Sequence, residues 1–517
     1  MAGMNVVRGA SAVTGDVVRD TFVGVDIGTT NTKVALVDDR GALLRTTSFP
    51  TPDVLPTLLA AVDRAMRPLV DGLARPPRAL GIASMAETGT GLDARGDPVL
   101  PLVRWDRRRR DLERGGGDPL VHGLGTDELH RATGLAPTAK APLAMWSRLR
   151  VEHPEAWRRM QRWVGVADAL VRHLTGEAVT DHTLALRTMA VRLPPAHTPT
   201  PRTWDVDLLA AVGLAPDHLA RIAGPDDPAV SIDATAAARC GLATGTPVVV
   251  AGHDHVVATW AAGVRGPGRA VVSVGTSEAL VRCSGPDAVD RERVLGTGMS
   301  IGRSVDGDRE TLLAGAPSAG AMASWLAEVT GEDGRSLLAA PACSADGVLV
   351  APYPDGRQTP EPDPAAVVRV LRADDPVRAL AGRPRPDDVD PRSLPADVLA
   401  RAVVDGLAAH LAWMDREHRA LLDVPDGAGP VLLVGGAAAA NRAWARARAV
   451  VLGVPVEPVV CREPVAAGAA LLAAVRTGAI DPASVLDGVP GTRGAGAAHL
   501  DGASASAAAL PDGRNPA

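Results

Sequence analysis

The sequence predicts an α/β protein built of two related lobes, on three observations. Apolar β-branched runs alternate with helical-period segments along most of the chain. Its 517 residues exceed what one hydrophobic core supports, so two domains are expected. Finally, Val23-Gly-Val-Asp-Ile-Gly-Thr-Thr-Asn-Thr32 and Val271-Val-Ser-Val-Gly-Thr-Ser277 read alike. Each is an apolar run that ends in Gly-Thr with a further hydroxyl residue and then resumes as apolar sequence. That is a strand, a tight turn and a second strand, built once in each half of the chain. Gly28 and Gly275 let the backbone approach an anion closely. The hydroxyls of Thr29, Thr30, Thr276 and Ser277 can donate to phosphate oxygens, which only accept. The matched pair predicts a polyphosphate gripped between two lobes.

In chain order, residues 1–20 show no periodicity and are expected to form a loose leader. Strands follow near Phe22–Ile27, Lys33–Val37 and Ala42–Arg45. Leu55, Leu58, Leu59, Val62, Met66, Leu69, Val70 and Leu73 recur at three- and four-residue spacing, which predicts a helix. A Pro-Pro break precedes a strand at Leu80–Met85. Helical sequence is expected from Leu143 to Leu174, with Trp146, Trp157 and Trp163 in the core. Ala236–Thr246 reads as a turn, and Pro247–Ala251 as a buried strand ending in Gly252-His-Asp-His255. The first lobe is thus placed at 21–261 and the second at 262–487. The second opens with a strand at Ala270–Val274 and has helices at Ala316–Val329 and Ala396–Leu422. A buried strand at Val431–Val434 then runs into Gly435-Gly436 and an Ala-rich helix through Leu452. Pro-, Arg- and Asp-rich residues 372–395 predict a surface insertion, and Gly/Ala/Ser-rich residues 488–517 a disordered tail.

Composition narrows the function classes. A formal net charge of −6 argues against a nucleic-acid partner held by bulk electrostatics. Of 54 basic residues only Lys33 and Lys140 are lysines, a bias that reflects GC-rich coding rather than function. Cys240, Cys283, Cys343 and Cys461 form no Cys-x-x-Cys pair, so neither a zinc site nor a disulfide scaffold is predicted. No run approaches the ~20 apolar residues of a membrane span, and the start lacks a secretory apolar segment. A cytoplasmic protein without a membrane partner is expected.

Four carboxylates are candidates for chemistry. Asp26 ends a strand just before the first Gly-Thr turn, where α/β sheets place ligands. A carboxylate beside a polyphosphate is repelled unless a cation intervenes, so Asp26 reads as a Mg²⁺ contact, against the alternative of a turn cap. Lys33 starts the returning strand and points toward phosphate or toward solvent. Asp254 follows the Pro247–Ala251 strand at the seam between lobes and suits a general base for phosphoryl transfer to a hydroxyl. A capping role is its alternative, and His253-x-His255 also permits a metal site, on weak spacing. Glu87 and Asp106 follow apolar stretches and carry acceptors that would fork onto a polyol, or else are surface acids, Asp106 pairing with the Arg107–Arg110 run. Gly435-Gly436 at a strand-to-helix junction allows a flat ring or phosphate near backbone.

Taken together, these residues resemble the FGGY family of carbohydrate kinases in the actin-like ATPase superfamily, over roughly residues 22–485. Asp26-Ile-Gly-Thr-Thr-Asn-Thr-Lys33 resembles the family's first phosphate motif and Gly275-Thr276-Ser277 its second. Gly81–Thr88 and Trp105-Asp106 resemble its substrate region, Thr175–Asp181 a first-lobe segment, and Pro247–Asp254 the strand carrying its base. Ala351–Gly356 and Thr359-Pro360 resemble a second-lobe segment. Gly435-Gly436-Ala437 through Asn441 and Trp444, then Gly453–Pro455 and Glu463–Gly468, resemble the adenosine motif and its sequel.

The resemblance implies two actin-like, ribonuclease H-like lobes with the active site in the cleft between them, and ATP with Mg²⁺ as cofactors. It implies Asp254 as base and Asp26 toward the metal. Ala86, Glu87, Asp106 and His255 would meet a small sugar or polyol. Gly28, Thr29, Thr30, Asn31, Lys33, Gly275, Thr276, Gly320, Gly435, Gly436, Ala437 and Asn441 would meet ATP. A homodimer is one option for the assembly. Departures from the family pattern bear on the substrate. The Lys-aliphatic-x-Trp pattern reads Leu143-Ala-Met-Trp146, so that lysine is missing, and Ala437 replaces a third glycine. The pair read as Arg-Glu in glycerol kinases and Met-His in xylulokinases is Ala86-Glu87, so neither substrate transfers. A chaperone- or actin-like ATPase and a non-catalytic sugar-binding relative are the rival readings.

Overall fold

In the computed structural model, the described residues are 19–106, 123–275, 277–317, 319–382, 387–425, 429–435, 441–459, 461–486 and 488–489, with the short strand Val7–Arg8. Arg107–Arg110, Thr276, Gly436 and Ala437, and most of the expected leader and tail, lie outside them.

Two mixed sheets dominate. The first contains β1 (Thr21–Ile27), β2 (Asn31–Asp38), β3 (Leu43–Pro50), β4 (Leu80–Ser84) and β5 (Pro247–His253). Their spatial order is β3-β2-β1-β4-β5, with Val7–Arg8 and Val230–Ser231 at the two edges. β1, β2 and β3 form an antiparallel meander, whereas β1, β4 and β5 run parallel. The second contains β6 (Ala270–Val274), β7 (Ser277–Cys283), β8 (Ser300–Arg303), β9 (Glu310–Pro317), β10 (Val431–Gly435) and β11 (Val456–Pro458). Its order is β8-β9-β7-β6-β10-β11, again antiparallel strands beside a parallel trio, with β9 inserted between β7 and β8. The repeated Gly-Thr turn is thus the visible trace of a repeated sheet. In each copy the turn joins the first strand to its antiparallel partner, at the end where the parallel strands also finish.

Helices cover the sheets. α1 (Leu55–Val70) lays Leu58, Val62, Met66 and Leu69 into the core of the first sheet, on the face the three- and four-residue spacing predicted. α2 (Asp254–Ala261) leaves directly from β5. α3 (Ala319–Thr330), α4 (Ala396–Leu421) and α5 (Arg442–Leu452) build the second lobe. α6 (Pro464–Arg476) is buried along most of its length and crosses back to pack on β1, β4 and β5. Small residues set that approach. A Cβ on Gly24 would fall 1.8 Å from the Ala466 carbonyl oxygen, and one on Gly81 1.8 Å from that of Ala469. Both positions need hydrogen because helix backbone occupies the space.

Local differences from the sequence reading have local causes. The expected helical stretch 143–174 is divided into Pro142–Glu152, Pro154–Arg159 and Val166–Thr175, with a strand at Arg162–Gly165. Pro154 starts a new helix, and Arg162–Gly165 pairs with Gly89–Leu92, a partner that periodicity does not show. Trp146 and Trp163 are buried, while Trp157 is half-buried at the edge. The expected turn at 236–246 is a helix over Ala234–Cys240, with Asp233 capping its start and Gly241 its end. Within the expected surface insertion, Pro376–Leu380 is helical, and its Val377, Ala379 and Leu380 pack beside Tyr353 and Trp413.

The α6 contact gives a direct test. Gly24→Ala and Gly81→Ala should each destabilise the protein by at least about 2 kcal/mol, because the added methyl meets fixed backbone. Gly266→Ala, where a Cβ would meet nothing within 4 Å, should move the urea midpoint far less.

Candidate active site

A cleft of about 930 Å³ lies between the lobes. Asp26, Gly28–Asn31, Lys33, Ala86, Glu87 and the 253–255 segment line one wall, and Gly275, Gly320, Gly435 and Asn441 line the other. Expected site residues thus stand on both walls, whereas Asp106 is not among the residues that line the cleft.

The first turn is tightly held. Gly28 N–H donates to the Asn31 carbonyl (3.2 Å), and Thr51 Oγ1 donates to that of Gly28 (2.7 Å). A methyl on Gly28 would stand 2.9 Å from the Asn31 oxygen. Arg104, not singled out from sequence, clamps the turn by donating to the Thr29 carbonyl (2.6 Å) and to Asp53 (2.8 Å). Trp105 Nε1 donates to Thr29 Oγ1 (2.9 Å). Asp26 is buried at the end of β1, and antiparallel register sets Lys33 opposite it. Lys33 Nζ lies 3.2 Å from Asp26 and 3.6 Å from Glu463, the residue before α6. The Asp26 charge leads in pushing Lys33 up to about 12.

Asp254 is positioned by a bulge. β5 shifts register between Val250 and Gly252, and Gly252 takes a φ of 131°, where a Cβ would stand 2.5 Å from Thr183 Oγ1. That hydroxyl accepts from His253 N–H (2.9 Å) and donates to Asp181 (2.6 Å). Asp181 pairs with Arg476 of α6 (3.2 Å), which also donates to the Val250 carbonyl (2.8 Å). The chain thereby leaves the sheet with Asp254 opening α2. Desolvation raises the Asp254 carboxyl to about 8, reinforced by the charge of Asp26. His253 Nε2 stands 3.2 Å from Asp254 Oδ1, and His255 stacks edge-on against His253. Desolvation lowers His255 to about 4 and His253 well below its ordinary value, so both are neutral near pH 7. The ligand atoms of the three residues lie within 4.8 Å of one another, close enough for one metal ion to span.

Glu87 and Asp106 are not the free acceptors pictured from sequence. Glu87 has a φ of 59° and is buried. Its Oε1 accepts from Arg187 Nε (3.1 Å) and Nη2, and its Oε2 lies 3.6 Å from Lys140 Nζ. Although burial opposes ionisation, Arg187 and Lys140 hold Glu87 below the usual range. Asp106 accepts from Arg104 Nε (3.1 Å) and Nη2 (3.2 Å). Neither Arg187 nor Lys140 was singled out from sequence. Lys140 had a signal: it precedes by three residues the position where the family lysine is missing, and it is one of two lysines in the chain. Arg187 follows a short helix and had none.

On the opposite wall, Gly435 has a φ of 148°, and a Cβ there would lie 2.1 Å from the Val274 carbonyl oxygen. Asn441 lines the cleft and caps α5, its Oδ1 accepting from Ala443 N–H (2.9 Å) and its Nδ2 donating to the Ala339 carbonyl (3.1 Å). Glu278, unsuspected from sequence, lines the cleft and pairs with the buried Arg448.

Duplicated mixed sheets meeting across a cleft define an actin-like two-lobed α/β protein. Models of the FGGY family of carbohydrate kinases match the chain, the N-terminal domain over residues 21–261 and the C-terminal domain over 270–477. The chain belongs to this family. It is 23% identical over 271 residues to a gluconokinase of Bacillus licheniformis, covering 50% of this chain and 51% of that one. It is 28% identical over 475 residues to a xylulose kinase of Streptomyces coelicolor, covering 87% of each. The chain thus spans about half the length of the gluconokinase. A crystal structure of gluconate kinase from Lactobacillus acidophilus superposes with a TM-score of 0.73 at 19% identity, over 90% of this chain and 91% of that one. Plasmodium falciparum glycerol kinase with ADP gives 0.73 at 15%, over 91% and 93%. No helix among the described residues is long and apolar enough to cross a membrane.

The raised Asp254 carboxyl has a consequence for stability. Between about pH 4, where an unfolded Asp has lost its proton, and about 8, the native protein retains it. Native stability therefore falls as pH rises through this window. Asp254→Asn should raise the melting temperature at pH 8 and change it much less at pH 5, in parallel thermal melts.

Proposed function

We propose that the protein transfers the γ-phosphoryl group of Mg-ATP to a hydroxyl of a small sugar, ketose or polyol, with Asp254 as general base. The observation that carries this reading is Asp254 itself: a carboxylate opening a helix, facing the cleft beside the Asp26–Lys33 pair, with its pKa raised to about 8. Such a group takes a proton from a hydroxyl far better than an ordinary aspartate. In the reaction the acceptor oxygen bonds to the γ-phosphorus, the bond from that phosphorus to the ADP oxygen breaks, and the hydroxyl proton passes to Asp254. The backbone at Gly28 and Gly275 would receive phosphates, and the glycine at 435 would let the nucleoside lie against the second lobe.

Mg²⁺ fits this chain's donors. Asp26, Asp254 and Glu463 share one lysine, Lys33, leaving the phosphate end acidic. Asp26 would hold the ion, which would offset phosphate charge. Relatives named for gluconate and xylulose, and the glycerol kinase structure, support a hydroxylated acceptor. The polar wall of Glu87, Arg187 and Lys140 next to Asp254 favours it over a chaperone- or actin-like ATPase.

The test is Asp254→Asn, which keeps shape but takes no proton at neutral pH. Its kcat should fall by roughly 10²- to 10⁴-fold while ATP binding survives. In the unsubstituted enzyme, kcat/KM should rise with pH up to about 8, as the base loses its proton. A folded Asp254→Asn protein that turns over near the native rate would remove the assignment.

A further inference from the structure

The exit of β5 gathers three metal-ligand side chains in consecutive residues. His253, Asp254 and His255 are the one group of three or more histidine, cysteine or carboxylate side chains, among the described residues, whose ligand atoms converge so closely. His253 Nε2 stands 3.2 Å from Asp254 Oδ1, and His255 Nδ1 stands 4.0 Å from the same oxygen. In a tetrahedral site with bonds of 2.0–2.1 Å, ligand atoms lie roughly 3.3 Å apart. The first spacing already meets that figure, and the second lies within a side-chain rotation of it. His255 Nδ1 is buried and has no hydrogen-bond partner among the described residues, a cost that a bound cation would offset. Backbone contacts hold the group in place: Thr183 Oγ1 accepts from His253 N–H and Asp254 Oδ1 from His255 N–H (2.7 Å). All three residues line the cleft, which gives an ion its entry path.

Two imidazoles and a carboxylate suit zinc and its neighbours, whereas Mg²⁺ takes oxygen ligands and keeps its waters. We infer that His253, Asp254 and His255 form a site for a borderline divalent ion, Zn²⁺ or Co²⁺, separate from the Asp26 position proposed for Mg²⁺. Three protein ligands leave a fourth tetrahedral position for water. An ion held there occupies the Asp254 carboxylate and stands where the acceptor hydroxyl must come. It therefore shuts the enzyme by competing with the acceptor, while Mg-ATP still binds. The site stands without the kinase reading above; the blockade rests on it.

The experiment titrates the full-length, untagged protein with Co²⁺ in the absence of nucleotide and then adds Zn²⁺. The visible absorption of four-coordinate Co²⁺ should grow to about one equivalent per chain and disappear as Zn²⁺ displaces it. His255→Asn and His253→Gln should each weaken Co²⁺ binding by at least about tenfold, with ATP affinity retained as the check on folding. Asp26→Asn should leave the absorption in place. In ADP-release assays with D-gluconate, D-xylulose and glycerol, free Zn²⁺ set by a metal buffer should raise the acceptor KM and leave the ATP KM unchanged. No binding below about 1 mM Co²⁺, or absorption that both histidine substitutions leave intact, would overturn the site. The expected absorption with inhibition that follows ATP instead of the acceptor would overturn the blockade alone. Co²⁺ binding as expected, with ADP released on no acceptor, would support the site and count against the kinase reading.

Discussion

The structure depends on the contact of one helix backbone with two glycines. α6 reaches the first sheet only because Gly24 and Gly81 carry no side chain, the Ala466 and Ala469 carbonyls filling the places where Cβ atoms would stand. β1, β4 and β5 run parallel beneath it, and beyond the bulge in β5 Ile27 lies opposite Ser84 and Ser84 opposite His253. Their ends deliver Asp26, Glu87 and Asp254 to the same end of the sheet. The helix also brings Glu463 at its start and Arg476 at its end, so one close-packed element ties both ends of the cleft wall to the second half of the chain.

Electrostatics in the cleft follow from this packing. Asp254 is desolvated because β5, α2 and the first wall close around it, and Asp26 lies near enough to disfavour its ionisation. The single lysine opposite Asp26 is shared with Glu463 and does not restore Asp254 to an ordinary carboxylate. Along the wall, Asp26 and Glu463 gather around Lys33 at one end, and Glu87 meets Arg187 and Lys140 at the other. Neutral histidines stand at the division.

Much of this site was legible before folding because it lies in contiguous residues. Asp26 through Lys33 forms one hairpin, and Gly252 through His255 one strand exit, so local pattern sufficed to find them. Arg104 and Arg187 were not legible in this way. Each acts on a residue distant in sequence, or through a carbonyl that any residue could supply, and a chain with 54 basic residues offers no contrast by which to select them. The helical stretch at 143–174 was overextended for a similar reason. The strand inside it is defined by its partner at Gly89–Leu92.

Sequence alone carried the two-lobed α/β class, the paired Gly-Thr segments, the acidic residues near strand ends and the family. These follow from period, turn chemistry and motif order, which are properties of neighbouring residues. Only the tertiary structure decided that Glu87 and Asp106 are engaged by arginines, that Asp254 is raised toward neutral pH, and that α6 belongs against the first sheet. Hydrogen bonding, ion pairing and desolvation depend on distances between segments far apart in the chain, and those distances exist only once the lobes are packed.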